Sequence, residues 1–188
     1  MEKTLERTDA AGKTRLLVAA ALFAALGCVS TTVIKVPSPT GGYMNLGDAA
    51  VLLGAYCLGP VYGAAAGGVG PALADLLGGY PMYVPGTLVI KAVMALTVGL
   101  LYRLLRHRGV PGVIACGAAG EVPMVLGYWL YDAVLVSAGG TAFGTALAGA
   151  AAGVPSNLVQ AAFGAAASTL LLAALRRSGY VRRMFPNL

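Results

Sequence analysis

The chain reads as long apolar runs separated by short polar punctuation. Leu16 to about Ile34 is the first run. The second stretch opens on Asn45-Leu-Gly-Asp48, breaks at Gly59-Pro60 and ends in a Gly-Tyr-Pro turn, with Asp75 its only formal charge between Ala49 and Gly79. As one helix, residues 49–79 would be roughly 46 Å long, against a hydrocarbon core of about 30 Å. Two spans joined by a tight turn at Gly59-Pro60 fit instead. Further runs cover about 85–105, 112–137 and 155–175. The pattern predicts an all-α integral membrane protein: a single membrane domain over 1–188, built as a bundle of six transmembrane helices at about 16–34, 46–58, 60–78, 85–105, 112–137 and 155–175.

The intervening segments follow from the same pattern. Lys35 to Met44, "KVPSPTGGYM", is an irregular first outer loop, with Asn45 or Asp48 capping the helix after it. Gly79-Tyr-Pro-Met-Tyr83 is the second outer turn. Ala138-Gly-Gly-Thr141 begins a third, which has room for a short helix through Ala151.

Composition narrows the class. Hydrophobic residues make up 58% and charged residues 11%, where a soluble domain carries about 25% charged. The formal charge of +6 would suit nucleic acid or an anionic surface, but its placement decides against nucleic acid. Lys3, Arg7, Lys13 and Arg15 precede the first run, Arg103, Arg106 and Arg108 lie between two runs, and Arg176, Arg177, Arg182 and Arg183 follow the last. That is the positive-inside pattern, with both termini cytoplasmic. Parity agrees: one crossing over 46–78 would put Arg103, Arg106 and Arg108 outside, whereas two put them inside. A basic stretch before an apolar run also fits a signal peptide, but the rest of the chain gives the first run a reason to stay.

An enzyme reading has little support. No phosphate-binding loop ends in Lys-Ser/Thr, no Ser-His pairing offers a nucleophile, and no His/Cys/Asp cluster offers a metal site. His107 falls in a basic loop. Cys28, Cys57 and Cys116 lie in apolar runs without ligand or paired spacing. Neither a metal nor another cofactor is expected.

Polar groups inside the spans carry the functional signal, because a charge in the bilayer is costly and faces a cavity or a partner. Glu121 and Asp132 are separated by about 20° around one helix at 100° per residue, with Tyr128 between them and Trp129 one step from Asp132. This aromatic and acidic face suits a small ring-shaped polar ligand; interfacial anchoring by Trp129 and Tyr131 is the plainer alternative. Lys91 and Asp75 lie at similar depth on neighbouring spans and either neutralise each other or contact the ligand. Asn157 and Gln160 share a face near the outer end of the last span, where their amides need partners. With Asn45 and Tyr83 these groups form the candidate substrate site. All but Glu121 lie in the outer half, so the pocket opens outward.

Small residues give a second signal. Ala20/Ala24 and Ala21/Ala25 are small-xxx-small pairs on the first span, and Gly59, Gly63 and Gly67 form another stripe. Such stripes let helices approach closely in lipid, as internal seams or as docking faces. Spacing alone favours seams.

The block "GGYMNLGDAAVLLGAYCLGPVYGAAAGGVGPALADLLGGYPMYVPGTLVIKAVMALTVGLL", continued by "GEVPMVLGYWLYDA" and "GVPSNLVQAAFGAA", resembles the substrate-binding S components of energy-coupling factor (ECF) vitamin transporters. The resemblance covers nearly the whole chain. It implies a six-helix monomer in the plasma membrane of a prokaryote that binds one vitamin or precursor on its outer side. Its implied partners are a transmembrane coupling protein and two cytoplasmic ATPases. It also implies that an Ala-x-x-x-Ala face on the first helix docks the coupling protein, which turns Ala20, Ala21, Ala24 and Ala25 from seam to dock, and that the 35–44 loop closes over the ligand. The pattern looks closest to carriers of pyridoxine-type vitamins or hydroxymethylpyrimidine, with riboflavin carriers more distant. The rival function is a self-sufficient secondary carrier, with Lys91, Asp75 and Glu121 as an ion or proton relay.

Overall fold

The computed structural model describes residues 2–185, 187 and 188; the side chains of Lys3 and Arg7, counted above among the basic flanks, lie outside the described set. Helix α1 covers Glu2–Val33. Strands β1 (Lys35–Pro37) and β2 (Tyr43–Asn45) follow, then helices α2 (Gly47–Leu58), α3 (Pro60–Leu77), α4 (Val84–Leu105), α5 (Gly109–Ala138), α6 (Phe143–Ala150), α7 (Val154–Leu175) and α8 (Gly179–Met184). Short 3-10 turns at Arg106–Arg108 and Ala151–Gly153 precede α5 and α7.

The burial pattern is that of a protein in lipid. Leu22, Leu104 and Leu170 stand 66%, 66% and 72% exposed, while Asp48, Asp75, Lys91, Glu121, Asp132 and Gln160 are buried. Apolar surface on this scale marks contact with a membrane, and satisfying polar groups internally is what the bilayer demands. Three stretches are long and apolar enough to cross a membrane: Gly12–Val33, Val84–Ala138 with α4 and α5, and Phe143–Leu175. The protein is therefore an all-α multi-pass membrane protein.

Helix α2 is the hub. All twelve of its residues are buried, packed among α1, α3, α4 and α7. Glycine makes the packing possible. A Cβ on Gly63 would sit 2.7 Å from the Ala55 Cα, and one on Gly67 would sit 3.0 Å from both the Ala95 Cβ and the Val51 side chain. The Gly63/Gly67 stripe is thus a seam between α3 and its neighbours, as small residues in a bilayer allow. The break between α2 and α3 rests on Gly59, whose φ of 79° few other residues adopt, and on Pro60 at the first helical position, where its missing N–H costs nothing.

The 35–44 segment is more ordered than its composition implied. It forms a two-stranded antiparallel hairpin with Val36 opposite Met44, closed by Ser38 N–H to Gly42 O (2.9 Å) and Gly41 N–H to Ser38 O (3.2 Å). Gly41 takes φ 88° in the turn. The N-cap of α2 is Leu46, without a side-chain cap; Asn45, one residue earlier, accepts from Gly47 N–H at 2.8 Å, and Asp48 does not cap, being engaged elsewhere.

The hairpin, the 79–83 turn and the α5–α6 connection gather at one end of the bundle. The Gly59 break lies at the other, where the Asn187 amide donates to Cys57 O (3.1 Å), Arg106 donates to Asn187 O (3.4 Å) and Phe185 meets Phe23 edge-on at 6.1 Å.

Candidate substrate site

Beneath the hairpin lies a polar cavity. The hairpin supplies Ser38, Thr40, Gly42, Tyr43 and Asn45 as its roof and side. Asp75 enters from the end of α3, Tyr83 and Thr87 from the start of α4, Tyr128 and Asp132 from α5, and Asn157 and Gln160 from the first turns of α7. Its volume of about 30 Å³ has room for roughly two waters, so a larger guest needs the surrounding elements to move apart.

Two tyrosine–carboxylate pairs frame the cavity. Tyr43 O–H donates to Asp75 Oδ1 at 2.5 Å and Tyr83 O–H donates to Asp132 Oδ1 at 3.0 Å. Burial pushes both phenols well above their ordinary value; for Tyr43 the hydrogen bond to Asp75 adds to this, and for Tyr83 the charge of Asp132 does. Both hydroxyls therefore stay protonated and keep donating. The Tyr43 ring lies 4.8 Å from that of Tyr80, and the Lys35 ammonium sits 4.5 Å over Tyr43 and 5.3 Å over Tyr80, within cation–π range. Tyr83 O–H also reaches Thr40 O at 3.4 Å. These contacts hold the hairpin down.

The floor is a hydrogen-bonded chain. Asn45 N–H donates to Gln160 Oε1 (2.7 Å), Gln160 Nε2 donates to Asp48 Oδ2 (2.8 Å), and Lys91 forms an ion pair with Asp48 Oδ1. Thr87 and Tyr128 share a hydrogen bond at 3.0 Å, and the Lys91 ammonium lies 5.4 Å from the Tyr128 ring centre.

Of the residues singled out from sequence, Asn45, Asp75, Tyr83, Tyr128, Asp132, Asn157 and Gln160 meet in this cavity. Three do not line it. Lys91 lies below, and it does not neutralise Asp75: its partner is Asp48, one face of the hub helix away, while Asp75 turns to Tyr43. Trp129 faces α6, donating from Nε1 to Leu147 O at 3.0 Å and packing on Ala133, Ala146 and Ala150. Glu121 faces Gly164 and Asp48, its buried carboxyl without a hydrogen-bond partner among the described residues.

Ser38, Thr40, Tyr43 and Thr87 were not anticipated. Thr87 carried a signal: it precedes Lys91 by one helical turn, on the same face of an otherwise apolar run. The three hairpin residues carried none beyond lying in a loop expected to cover the ligand.

The alanine pairs of α1 divide between two environments. Ala20 and Ala24 are half-buried against the core, and a Cβ on Gly70 would meet the Ala24 backbone. Ala21 and Ala25 are exposed.

No group of three or more His, Cys, Asp or Glu residues is placed to hold a metal among the described residues. Cys57 and Cys116 are buried free thiols, and Cys28 is a half-buried one.

Comparison with known proteins adds two findings. The sequence model of the family described as "ECF-type riboflavin transporter, S component" matches residues 12–177. A protein of Pyrococcus woesei, described as "Uncharacterized protein in gap 3'region", is 39% identical over 113 residues, which cover 60% of this chain and 74% of that protein.

Proposed function

The chain belongs to the ECF-type riboflavin transporter S-component family, the substrate-binding membrane subunits of energy-coupling factor transporters, and from that premise we propose that its hairpin-roofed cavity captures a small water-soluble vitamin or vitamin precursor. The observation that carries the reading is the convergence itself: tyrosine rings, carboxylates and amides from five separate segments meet under the hairpin. Ligand sites combine a few placed polar groups with aromatic walls in this way.

A hydroxymethyl-bearing single ring, pyridoxine-like or hydroxymethylpyrimidine-like, suits the cavity best. Tyr128 gives a stacking face, while Asn157, Asp75 and Asp132 give directional partners for ring substituents. Riboflavin is the second reading, favoured by the description attached to the matching family; its three fused rings demand a larger displacement of the hairpin.

In this reading six helices (α1 to α5 and α7) cross the plasma membrane. The Gly59 break and the arginine-bearing ends of α4 and α7 are cytoplasmic, as are both termini, and the hairpin faces outward. Delivery then requires a transmembrane coupling protein and two cytoplasmic ATPases, with the exposed Ala21/Ala25 face of α1 available for close helix contact.

A thermal-shift screen of the purified protein against pyridoxine, hydroxymethylpyrimidine, thiamine, riboflavin and pantothenate tests the ligand. A true ligand well above its dissociation constant raises the melting temperature by mass action. Reconstitution tests the mode: the isolated chain binds but does not accumulate ligand. Concentrative uptake by this chain alone, driven by an ion gradient, would instead make it a self-sufficient carrier.

A further inference from the structure

The charges around the cavity sort its ligands. Among the described residues lining it, Asp75 and Asp132 are acidic and none is basic. One oxygen of each accepts from a tyrosine hydroxyl, and both side chains are 4% exposed. The nearest cations are committed elsewhere. Lys91 is paired with Asp48 beneath the floor, which leaves that couple neutral. Lys35 lies over the rings of Tyr43 and Tyr80 and does not line the cavity. The amino end of α7 contributes at most about half a positive charge, against two full negative ones.

We infer that the cavity admits only neutral or cationic, donor-rich ligands and rejects anionic forms of the same ring, so that phosphorylated and carboxylate vitamins are excluded by charge. The inference rests on the vitamin-capture reading of this site and fixes its substrate class. A ring bearing hydroxyl, amino or protonated nitrogen groups gives each carboxylate a donor, and such charge-assisted bonds are the stronger kind. A phosphate held about 6 Å from one of these carboxylates, at an effective dielectric near 20, loses on the order of a hundred-fold in affinity per carboxylate. The Ser38 and Thr40 hydroxyls already share a hydrogen bond at 3.2 Å, and Thr40 also bonds Asp132, so the neutral donors left, chiefly Asn157, are too few to offset that.

The test is titration calorimetry on the full chain in lipid nanodiscs with matched pairs: pyridoxine and pyridoxine 5′-phosphate, hydroxymethylpyrimidine and its phosphate, riboflavin and flavin mononucleotide. In whichever pair binds, the phosphorylated member is expected to bind at least on the order of a hundred-fold more weakly, or not at all. Asp75→Asn and Asp132→Asn keep an acceptor oxygen for Tyr43 and Tyr83. Each is expected to narrow the gap within a pair by on the order of a hundred-fold, with a thermal melt confirming that the variant is folded. Affinities within about three-fold for free and phosphorylated partners, or a gap that neither variant narrows, overturn the inference while leaving vitamin capture standing. Absence of binding by both members of every pair removes the capture reading itself, and this inference with it.

Discussion

Lys91 on α4 and Asp48 in the first turn of α2 form an ion pair in which each side chain is only 1% exposed. Gln160 from α7 occupies the other carboxylate oxygen at 2.8 Å, so three helices meet at one acid. Removing one partner of such a pair strands a buried charge, at a cost of about 3–5 kcal/mol, whereas replacing both with apolar residues is often neutral. Lys91→Met and Asp48→Leu are each expected to lower the melting temperature strongly, and the double variant to recover most of the loss. A double variant as unstable as the singles would mean that the pair organises the bundle in some further way.

The hairpin roof offers a kinetic prediction. Tyr43→Phe deletes the hydroxyl that binds Asp75 yet keeps the ring against Tyr80. Ligand release is expected to quicken about ten-fold or more, since a hydrogen bond to a charged group is among the stronger ones; stopped-flow dissociation reads this directly.

The pH dependence of that latch has a definite sign. The folded-state value of the Tyr43 phenol is raised, so its contribution is fully present below the ordinary tyrosine value, about 10. It is lost only as pH rises through the higher folded value. Release rates of the wild-type protein are therefore expected to stay flat from neutral pH to about 10. A rate that climbs between pH 8 and 10 would place the controlling group elsewhere.

Glu121 gives a stability prediction of the opposite kind. Its two carboxyl oxygens are buried without a hydrogen-bond partner among the described residues, a situation that costs about 1–3 kcal/mol. Glu121→Met is expected to raise the melting temperature and to leave ligand affinity unchanged. A stabilised variant that binds but no longer supports uptake in the complete transporter would give Glu121 a part in delivery.

Asn157 on α7 and Trp129 on α5 separate cleanly. Asn157→Ala, at the cavity wall, is expected to weaken ligand binding by about ten-fold, as for a lost hydrogen bond to a ligand. Trp129→Ala is expected to leave affinity within about three-fold while loosening α6, whose Leu147 carbonyl it holds. The reverse outcome would move the ligand toward α6.

For the partner, Ala21→Leu and Ala25→Leu are expected to abolish uptake by the complete transporter and to spare ligand binding by the isolated chain, because these alanines point outward. Ala24→Leu is expected to destabilise the protein instead, since the α1 backbone there lies against Gly70.

What could be read in advance was what depends on neighbours in sequence. Length against bilayer thickness and a Gly-Pro dipeptide suffice to place the turn between α2 and α3, and Ala138-Gly-Gly-Thr141 to leave room for α6. Tyr128 and Asp132, four apart, share the cavity wall by helical periodicity alone. The same periodicity turns Trp129 about 100° away, toward Ala133 and α6; its aromatic character drew it into a site that its azimuth denies it. Pairings between distant segments were not legible. Asp48 and Asp75 both lie near the hairpin ends of their helices, and only the packing of α4 against α2 gives Lys91 to the first. Tyr43 and Thr40 joined the site through strand pairing, which no local pattern in "KVPSPTGGYM" announces.

The hub helix is short. Its twelve residues rise about 18 Å, in a hydrocarbon layer of about 30 Å. In the proposed orientation, with Gly59 at the inner surface, the chamber on top of α2 would lie roughly 12 Å inside the layer's outer boundary. On the proposed function, a captured ligand would thus complete about two-fifths of its journey before any ATP is spent. In that orientation binding is itself the first leg of translocation, and the remaining work is to open a path past a plug a little over three helical turns thick.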